Sequence, residues 1–435
     1  MNWKEEYKNK LTSAAAAVKC VKSGDTVYAG TCTSVAYTLL DALGERAGEL
    51  SDVTLTCSQI IKPVKCLSFE YPDAFKICTY FMGAQERAFR KKGGRVDFTS
   101  MHLSQVDVFF KDIRPTDVAF FEVSPPDENG NMSYGATGVA INKFIKEKAK
   151  IIILEVNSSV PYVYGTDNLI NVSEADMLIE SDIALYENKS LAVTPQIQTI
   201  SDFLLEQIPD AACIQLGIGA VADAVGYGLK ERNDLGAHTE LFTDSMVELM
   251  ENGNINNSRK SFMKGKTVTS FSMGTKRLYD FIDHNPDVYF APFPVVNNPA
   301  NIAKNDNMIS INTAMSIDLF GQVCADNIAG VQHSATGGQL DFVKGAQMSA
   351  GGKSFIALTS AFENKNGRQS RIVCRLPEGC AVTTPRSEIQ YVATEYGCIN
   401  LKNLTMKERA AALISLAHPD FRPALKEEAK EFGLL

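Results

Sequence analysis

The chain is poor in the features that would commit it to a metal, a membrane or a nucleic acid. It has ten cysteines but no C-x-x-C pair, and its five histidines show no paired spacing of the zinc type. Buried free thiols are the expectation. Forty-three basic against fifty-one acidic side chains leave a formal charge of -8, so no general attraction to a polyanion or an anionic bilayer exists. A small anion held by local donors stays open. No apolar run approaches membrane-spanning length, and "MNWKEEYKNKLTSAAAAVKC" is charged from its start rather than basic and then apolar. These absences point to a reduced, cytoplasmic protein whose residues 2 to 20 form an ordinary amphipathic surface helix. The sequence is compatible with a homo-oligomer.

What remains is a composition suited to a large folded core, 45% hydrophobic and 22% charged over 435 residues. That length suits two domains. "GDTVYAG" at 24 to 30 reads as a buried strand entering a small-residue turn, and "SVAYTLLDALGERAGEL" then has helical spacing. Further strands are expected at 53 to 57, 117 to 123 and 149 to 157. This α/β order favours largely parallel sheets covered by helices.

The same order restarts after residue 190. Laid on the first half, "ACIQLGIGAVADAV" puts Gly217 over Gly30 and Gly219 over Cys32, while "LGAHTEL" puts Leu235 over Leu50 and Glu240 over Leu55. Later, "IDLFGQVCAD" resembles "PDENGNMSYG", with Gly321 over Gly130. The expected organisation is therefore two related α/β domains, 1–190 and 191–435, joined near "ENKSLAVTPQ". Glu240 is a carboxylate present in one copy only, which a single active site in a cleft between two similar halves would require.

Two readings compete for the window around it. "GIGAVA", from Gly217, fits G-x-G-x-x-A after a strand, with Glu240 at the acidic distance of a dinucleotide-binding fingerprint. A NAD-dependent oxidoreductase follows from that reading, and a purely structural tight turn is its bland rival. The alternative is an anion or carbonyl site made by backbone N–H groups at a helix start. "SATGGQLDFVKGAQMSAGGKSF" adds two diglycines, with Gln339 and Lys353 directly after them, as further donors for a carbonyl or phosphate. Arg386 follows a proline turn, and "LAHPDFRPAL" reads as a break in a C-terminal helical hairpin.

Taken together, "QLGIGAVADAV", "LGAHTELFTD", "ATGGQLDFVKGA", "GGKSFIAL", "VTTPRSE", "VATEYG" and "LAHPDFR" resemble the signature stretches of the acetyl-CoA hydrolase/transferase family, particularly its butyryl-CoA:acetate and 4-hydroxybutyrate CoA-transferases. "VSPPDENG" and "YGTDNLI" extend the resemblance over nearly the whole chain. It implies a two-domain CoA-transferase fold and coenzyme A as substrate, with no permanently bound cofactor and no metal. It implies Glu240 as nucleophile, with Gln215 and Gly217 binding the oxyanion. Gly217, Ile218, Gly219, Ala220 and Val221, and the Gly337, Gly338, Gln339 and Lys353 region, are implied as coenzyme A contacts. Two positions depart from the family pattern: Thr31 stands where a histidine is usual, and Ala220 where a glycine is common. Alanine fits there only with a negative φ.

Moving coenzyme A between two acids needs a nucleophile but no obligatory proton transfer. A glutamate with an ordinary pKa of about 4.3 is expected to be ionised at pH 7 without a base. His238, two residues before Glu240, lies on the same strand face and is read as a packing or hydrogen-bonding residue rather than a proton carrier. The expected activity is acyl-CoA:carboxylate CoA transfer between acetate and butyrate or 4-hydroxybutyrate, with an acetyl-CoA hydrolase, a NAD-dependent oxidoreductase and a non-catalytic metabolite sensor as alternatives.

Overall fold

The computed structural model describes residues 2–189 and 192–435, which fall into two compact units. One comprises Met1–Asn188 and Val268–Val295, the other Lys189–Thr267 and Val296–Leu435. The expected boundary at 190 and 191 falls on residues outside those described. Backbone pairing explains why Val268–Val295 goes with the first unit. Tyr289 and Phe290 pair in parallel with Tyr164 and Gly165, and the N–H groups of His284 and Phe293 donate to Tyr162 and Ala140.

The first unit is built on seven parallel strands. These are β1 (Thr26–Thr31), β2 (Val53–Ser58), β3 (Phe75–Thr79), β4 (Val96–Phe98), β5 (Val118–Val123), β6 (Ile151–Asn157) and β7 (Met177–Ser181), in the order β7-β6-β5-β1-β2-β3-β4. Runs such as "VTLTCS" and "VAFFEV" are buried at every position, as strands covered on both faces must be. One expected element is broken. Residues 2 to 20 are not a single helix: α1 (Trp3–Lys10) stops at Leu11, whose backbone bridges Leu178, and Ser13 caps a new turn by accepting from the Ala16 N–H. The amphipathic pattern is real, but pairing with the edge strand β7 outcompetes continuation. Helix α2 (Tyr37–Gly44) begins where the Glu155 carboxylate accepts from the Thr38 and Leu39 N–H groups.

The second unit repeats the plan. Strands β8 (Cys213–Leu216), β9 (Gly236–Phe242), β10 (Met308–Thr313), β11 (Lys353–Ala357) and β12 (Tyr391–Thr394) are all parallel in the order β12-β11-β10-β8-β9, and β13 (Gly397–Asn400) joins antiparallel at the edge. Helices α3 (Ala220–Gly228) and α4 (Gln339–Met348) follow β8 and β10 in the chain. The expected C-terminal hairpin is α5 (Met406–Leu416) and α6 (Arg422–Glu431), broken at Pro419.

Register ties the two units together as copies of one design. Val27 pairs with Leu55 on one side and Val118 on the other, as Ile214 pairs with Ala237 and Ile309. Gly217 is thereby equivalent to Gly30, as expected. A turn supplies independent support. Asp127 accepts from the N–H groups of Asn129 and Asn131 and from the Asn131 amide, while Asp318 accepts from Phe320, Gln322 and the Gln322 amide in the same way, with φ of +80° at Gly130 and +90° at Gly321. One equivalence is corrected. Leu55 matches Ala237, so the first-unit counterpart of Glu240 is Ser58, three residues further along. The match of Leu235 to Leu50 is a chance identity that slips the second strands by three residues.

Candidate functional site

Strand β9 delivers "GAHTELF", and its pleat sends His238, Glu240 and Phe242 to one face. Glu240 is the only one of the seven residues that is not fully buried. Its Oε2 accepts a 2.6 Å hydrogen bond from Nδ2 of Asn297, and the backbone N–H of Gly338 donates to the same carboxylate. Gly338 caps α4, so the positive end of that helix faces the anion. The closeness is extreme: a Cβ on Gly338 would overlap both Glu240 Oε2 and Asn297 Nδ2. Only glycine leaves room for the carboxylate.

Opposing effects set the acidity of Glu240. Desolvation raises its pKa, the Asn297 hydrogen bond lowers it, the nearby Asp341 raises it and the Gly338 N–H lowers it, with a result of about 7. This corrects the expectation of an ordinary glutamate fully ionised at neutral pH. The sequence pattern shows a carboxylate at a strand end but not Asp341, which is buried one helical turn beyond Gly338.

His238 is fully buried beside the rings of Phe262 and Phe342, with Nε2 2.8 Å from the Val296 carbonyl. Burial pushes its pKa down to about 3, so the ring is neutral and Nε2 carries the proton donated to Val296. A packing and hydrogen-bonding residue is what the geometry supports.

On the same sheet face, Gln215 is enclosed in a polar network. Its Oε1 accepts from Ser310 Oγ at 2.6 Å, and its amide and that of Asn312 exchange hydrogen bonds at 3.3 Å each way. The first unit has Tyr28, Ala119 and Phe121 at the three corresponding positions, and there the rings of Tyr28 and Phe121 pack 5.7 Å apart. Chemistry-bearing side chains thus occupy one copy and an aromatic core the other. Ser58, the counterpart of Glu240, receives the Thr31 hydroxyl on its carbonyl and holds Thr79 through its own, so Thr31 closes its own sheet.

The loop 217–221 joins β8 to α3. Gly219 has φ +118° and open space around its Cβ position, so conformation rather than crowding calls for glycine. Ala220 opens the helix and is absent from the positive-φ residues, which makes alanine acceptable where the family often has glycine. Ile218 is exposed and Val221 is buried. The Gly217 N–H, expected to bind an oxyanion, instead donates to Ile311 O at 2.8 Å and completes the sheet ladder. That donor is committed, and the oxyanion role expected of it is withdrawn.

Two other expected contacts also change. Gln339 donates from Nε2 to Thr313 O at 2.8 Å and accepts from Thr384 at 3.1 Å, so its side chain holds the turn rather than reaching out. Lys353 starts β11 level with Ile309, and its Nζ is 3.0 Å from Gln207 O. Three strand spacings separate it from β9, on the order of 14 Å, and it sits toward the opposite end of the parallel strands. It is not brought to Glu240. Arg386 lies over the ring of Phe320. Asn297, Ser310, Asn312 and Asp341 were not anticipated. For Asn297 the available signal was the doublet "NNPA", in which Asn298 caps the short helix Pro299–Ile302 and leaves its neighbour to another task.

Compared with known proteins, residues 1–187 match the acetyl-CoA hydrolase/transferase N-terminal domain, and residues 274–429 its C-terminal domain. The chain belongs to the acetyl-CoA hydrolase/transferase family. Succinyl-CoA:cyclohexane-1-carboxylate CoA transferase of Geobacter metallireducens is 38% identical, covering 99% of this chain and 98% of the relative. 4-Hydroxybutyrate coenzyme A transferase of Clostridium kluyveri is 39% identical, covering 99% and 100%. The crystal structure of RipA from Yersinia pestis superimposes with a TM-score of 0.94 at 36% identity over 100% of both chains. The full-length matches carry the α/β fold along with the family. Among the described residues, no helix is long and apolar enough to cross a membrane.

Proposed function

We propose that this protein transfers coenzyme A between acetate and a short-chain acid, butyrate or 4-hydroxybutyrate, through a thioester on Glu240. The observation that carries the proposal is the Glu240 carboxylate, held by Asn297 and the Gly338 N–H and matched by a serine in the other copy of the fold. Glu240 Oε attacks the acyl-CoA carbonyl and expels the coenzyme A thiolate, leaving an acyl-glutamyl anhydride. The thiolate then attacks the glutamyl carbonyl, which releases the first acid and forms the Glu240 thioester. A second acid repeats the two steps in reverse. Thioester free energy is conserved throughout.

Each addition makes an oxyanion that needs preorganised donors. The Gln215 amide remains the side-chain candidate, since one Nε2 hydrogen engages Asn312 and the other is not needed by that pairing. With Gly217 committed to the sheet, the backbone donors fall to the start of α3, at Gly219 and Ala220, where N–H groups and the helix dipole converge. The same loop, from Ile218 to Val221, and the Gly337 turn are the proposed coenzyme A contacts. A NAD site loses its support here, because the relatives that match this chain over its full length are CoA transferases. Ten free thiols suit a reducing compartment.

The test is mass spectrometry of protein incubated with butyryl-CoA and no acceptor acid, then reduced with borohydride. A modified peptide containing residue 240 is expected, and modification elsewhere overturns the proposal. Adding acetate separates transfer from hydrolysis: acetyl-CoA is expected, and free coenzyme A alone would assign a hydrolase.

A further inference from the structure

Two loops of the second unit close on one another beside the Gly337–Gly338 turn. Residues 323–334 form one and residues 376–384 the other. The N–H of Val323 donates to Thr384 O at 3.0 Å, and that of Thr383 returns to Val323 O at 2.8 Å. Thr383 Oγ1 accepts from the Ala325 N–H and donates to Asp326 Oδ1 at 2.6 Å. At the far end, Gly330 and Gly379 meet backbone to backbone, with the Cβ position of Gly379 3.4 Å from Gly330 Cα. Between these anchors lie Cys324 on one loop, whose thiol donates to Asn327 O at 3.2 Å, and Cys380 on the other, whose thiol is close enough to push the Cys324 pKa up. Cys324 is fully buried, and Cys380 is partly open to solvent.

We propose that Cys324 and Cys380 are a modification site, a thiol pair that closes to a reversible disulfide in exchange with a small-molecule disulfide. The partly accessible Cys380 thiolate attacks one sulfur of the small disulfide and releases a thiol. Cys324 then loses its proton and attacks the Cys380 sulfur, which forms the protein disulfide and releases the second thiol. Two protein thiols are oxidised and one small disulfide is reduced. Burial pushes the Cys324 thiol up to about 11, so the second step is the slow one and closure accelerates as pH rises.

The site is coupled to the carboxylate through a short path. Thr384, next to Thr383, donates to Gln339 Oε1, and Gln339 follows the Gly338 that abuts Glu240. Drawing the two sulfurs to a bond of about 2.05 Å takes the Cys324 thiol off Asn327 O and ties the 376–384 loop to the 323–334 loop. The existence of the link does not depend on the transferase proposal, whereas its effect on turnover rests on it.

The full chain is incubated with oxidised glutathione at pH 8.5 and mapped by non-reducing peptide mass spectrometry. One linked pair joining the Cys324 and Cys380 peptides is expected, reversed by dithiothreitol, absent in Cys380→Ser and retained in Cys374→Ser. Butyryl-CoA:acetate exchange is measured in parallel and is expected to fall by ten-fold or more in the oxidised wild type and to stay unchanged in oxidised Cys380→Ser. A stable glutathione adduct on Cys380, a link to any other cysteine, or only unmodified thiols at both positions would overturn the proposal whatever the activity does.

Discussion

Replacing Glu240 with glutamine is expected to abolish transfer and, at pH 8, to make the protein more stable. In the unfolded chain a glutamate titrates near 4.5, while in this fold Glu240 titrates at about 7. Each unit of difference corresponds to about 1.36 kcal/mol, so holding the ionised group in place costs up to about 3 kcal/mol. Partial solvent access makes that a ceiling. The sign follows from proton binding. Between pH 4.5 and 7 the unfolded chain gives up this proton and the folded chain keeps it, so stability is lost as pH rises and the loss is complete above the folded pKa. Glutamine has the same shape, can still accept from Asn297, and does not titrate. Melting or denaturant unfolding of wild type and Glu240→Gln at pH 5 and pH 8 reads the effect, because every other titrating group is common to both proteins. The variant's advantage is expected to widen from pH 5 to pH 8 by up to about 2.5 kcal/mol, because part of the loss is already present at pH 5, at roughly 2–4 °C per kcal/mol for domains of this size. An equal gap at the two pH values would refute the raised pKa and the opposed forces behind it.

Other outcomes follow from the same contacts. Asn297→Ala removes a hydrogen bond to a charged group worth about 1.5–3 kcal/mol, so the rising limb of kcat/KM against pH is expected to move about one to two units alkaline. Gly338→Ala keeps a permitted backbone, with φ -96°, yet its methyl group displaces the carboxylate, and exchange should drop about 100-fold while the fold survives on circular dichroism. Gln215→Ala is expected to cost about 2.7–4 kcal/mol in the barrier, read as kcat. Lys353→Met, by contrast, is expected to leave KM for butyryl-CoA unchanged, since the ammonium is spent on Gln207.

The sequence disclosed the parallel α/β order because strands buried on both faces are written as unbroken apolar runs, and it disclosed the duplication through Gly217 and the Asp318 turn. It also pointed to Glu240. What escaped it depends on which partners the fold brings together. Asn297 is 57 positions from Glu240, and no periodicity relates them. Gly217 fits a phosphate-binding pattern, but whether its N–H is spare depends on the register with Ile311, which the pattern does not contain. Lys353 follows a diglycine as Gln339 does, yet one diglycine opens a helix at the carboxyl ends of the strands and the other opens a strand at their amino ends. The apparent Leu55 match to Glu240 failed for the same reason, since identities along a strand do not fix its register.

The raised pKa of Glu240 has a use that an ordinary glutamate lacks. A carboxylate with a pKa of about 4.3 would be almost wholly ionised at pH 7, but it would also be a weaker nucleophile, because attack on a carbonyl strengthens with basicity. At about 7, half the population still carries the charge, and each charged molecule attacks from a more basic oxygen. Burial and Asp341 push toward that point, while Asn297 and the start of α4 prevent the group from going further and becoming a neutral acid. The Asn297 and Gly338 hydrogen bonds also fix the oxygen's position. The first unit has no such conflict to resolve: at the corresponding place Ser58 bonds to Thr79 and the neighbouring ring of Tyr28 packs on Phe121, so one copy of the fold remains free to be stable while the other carries the cost of a reactive anion.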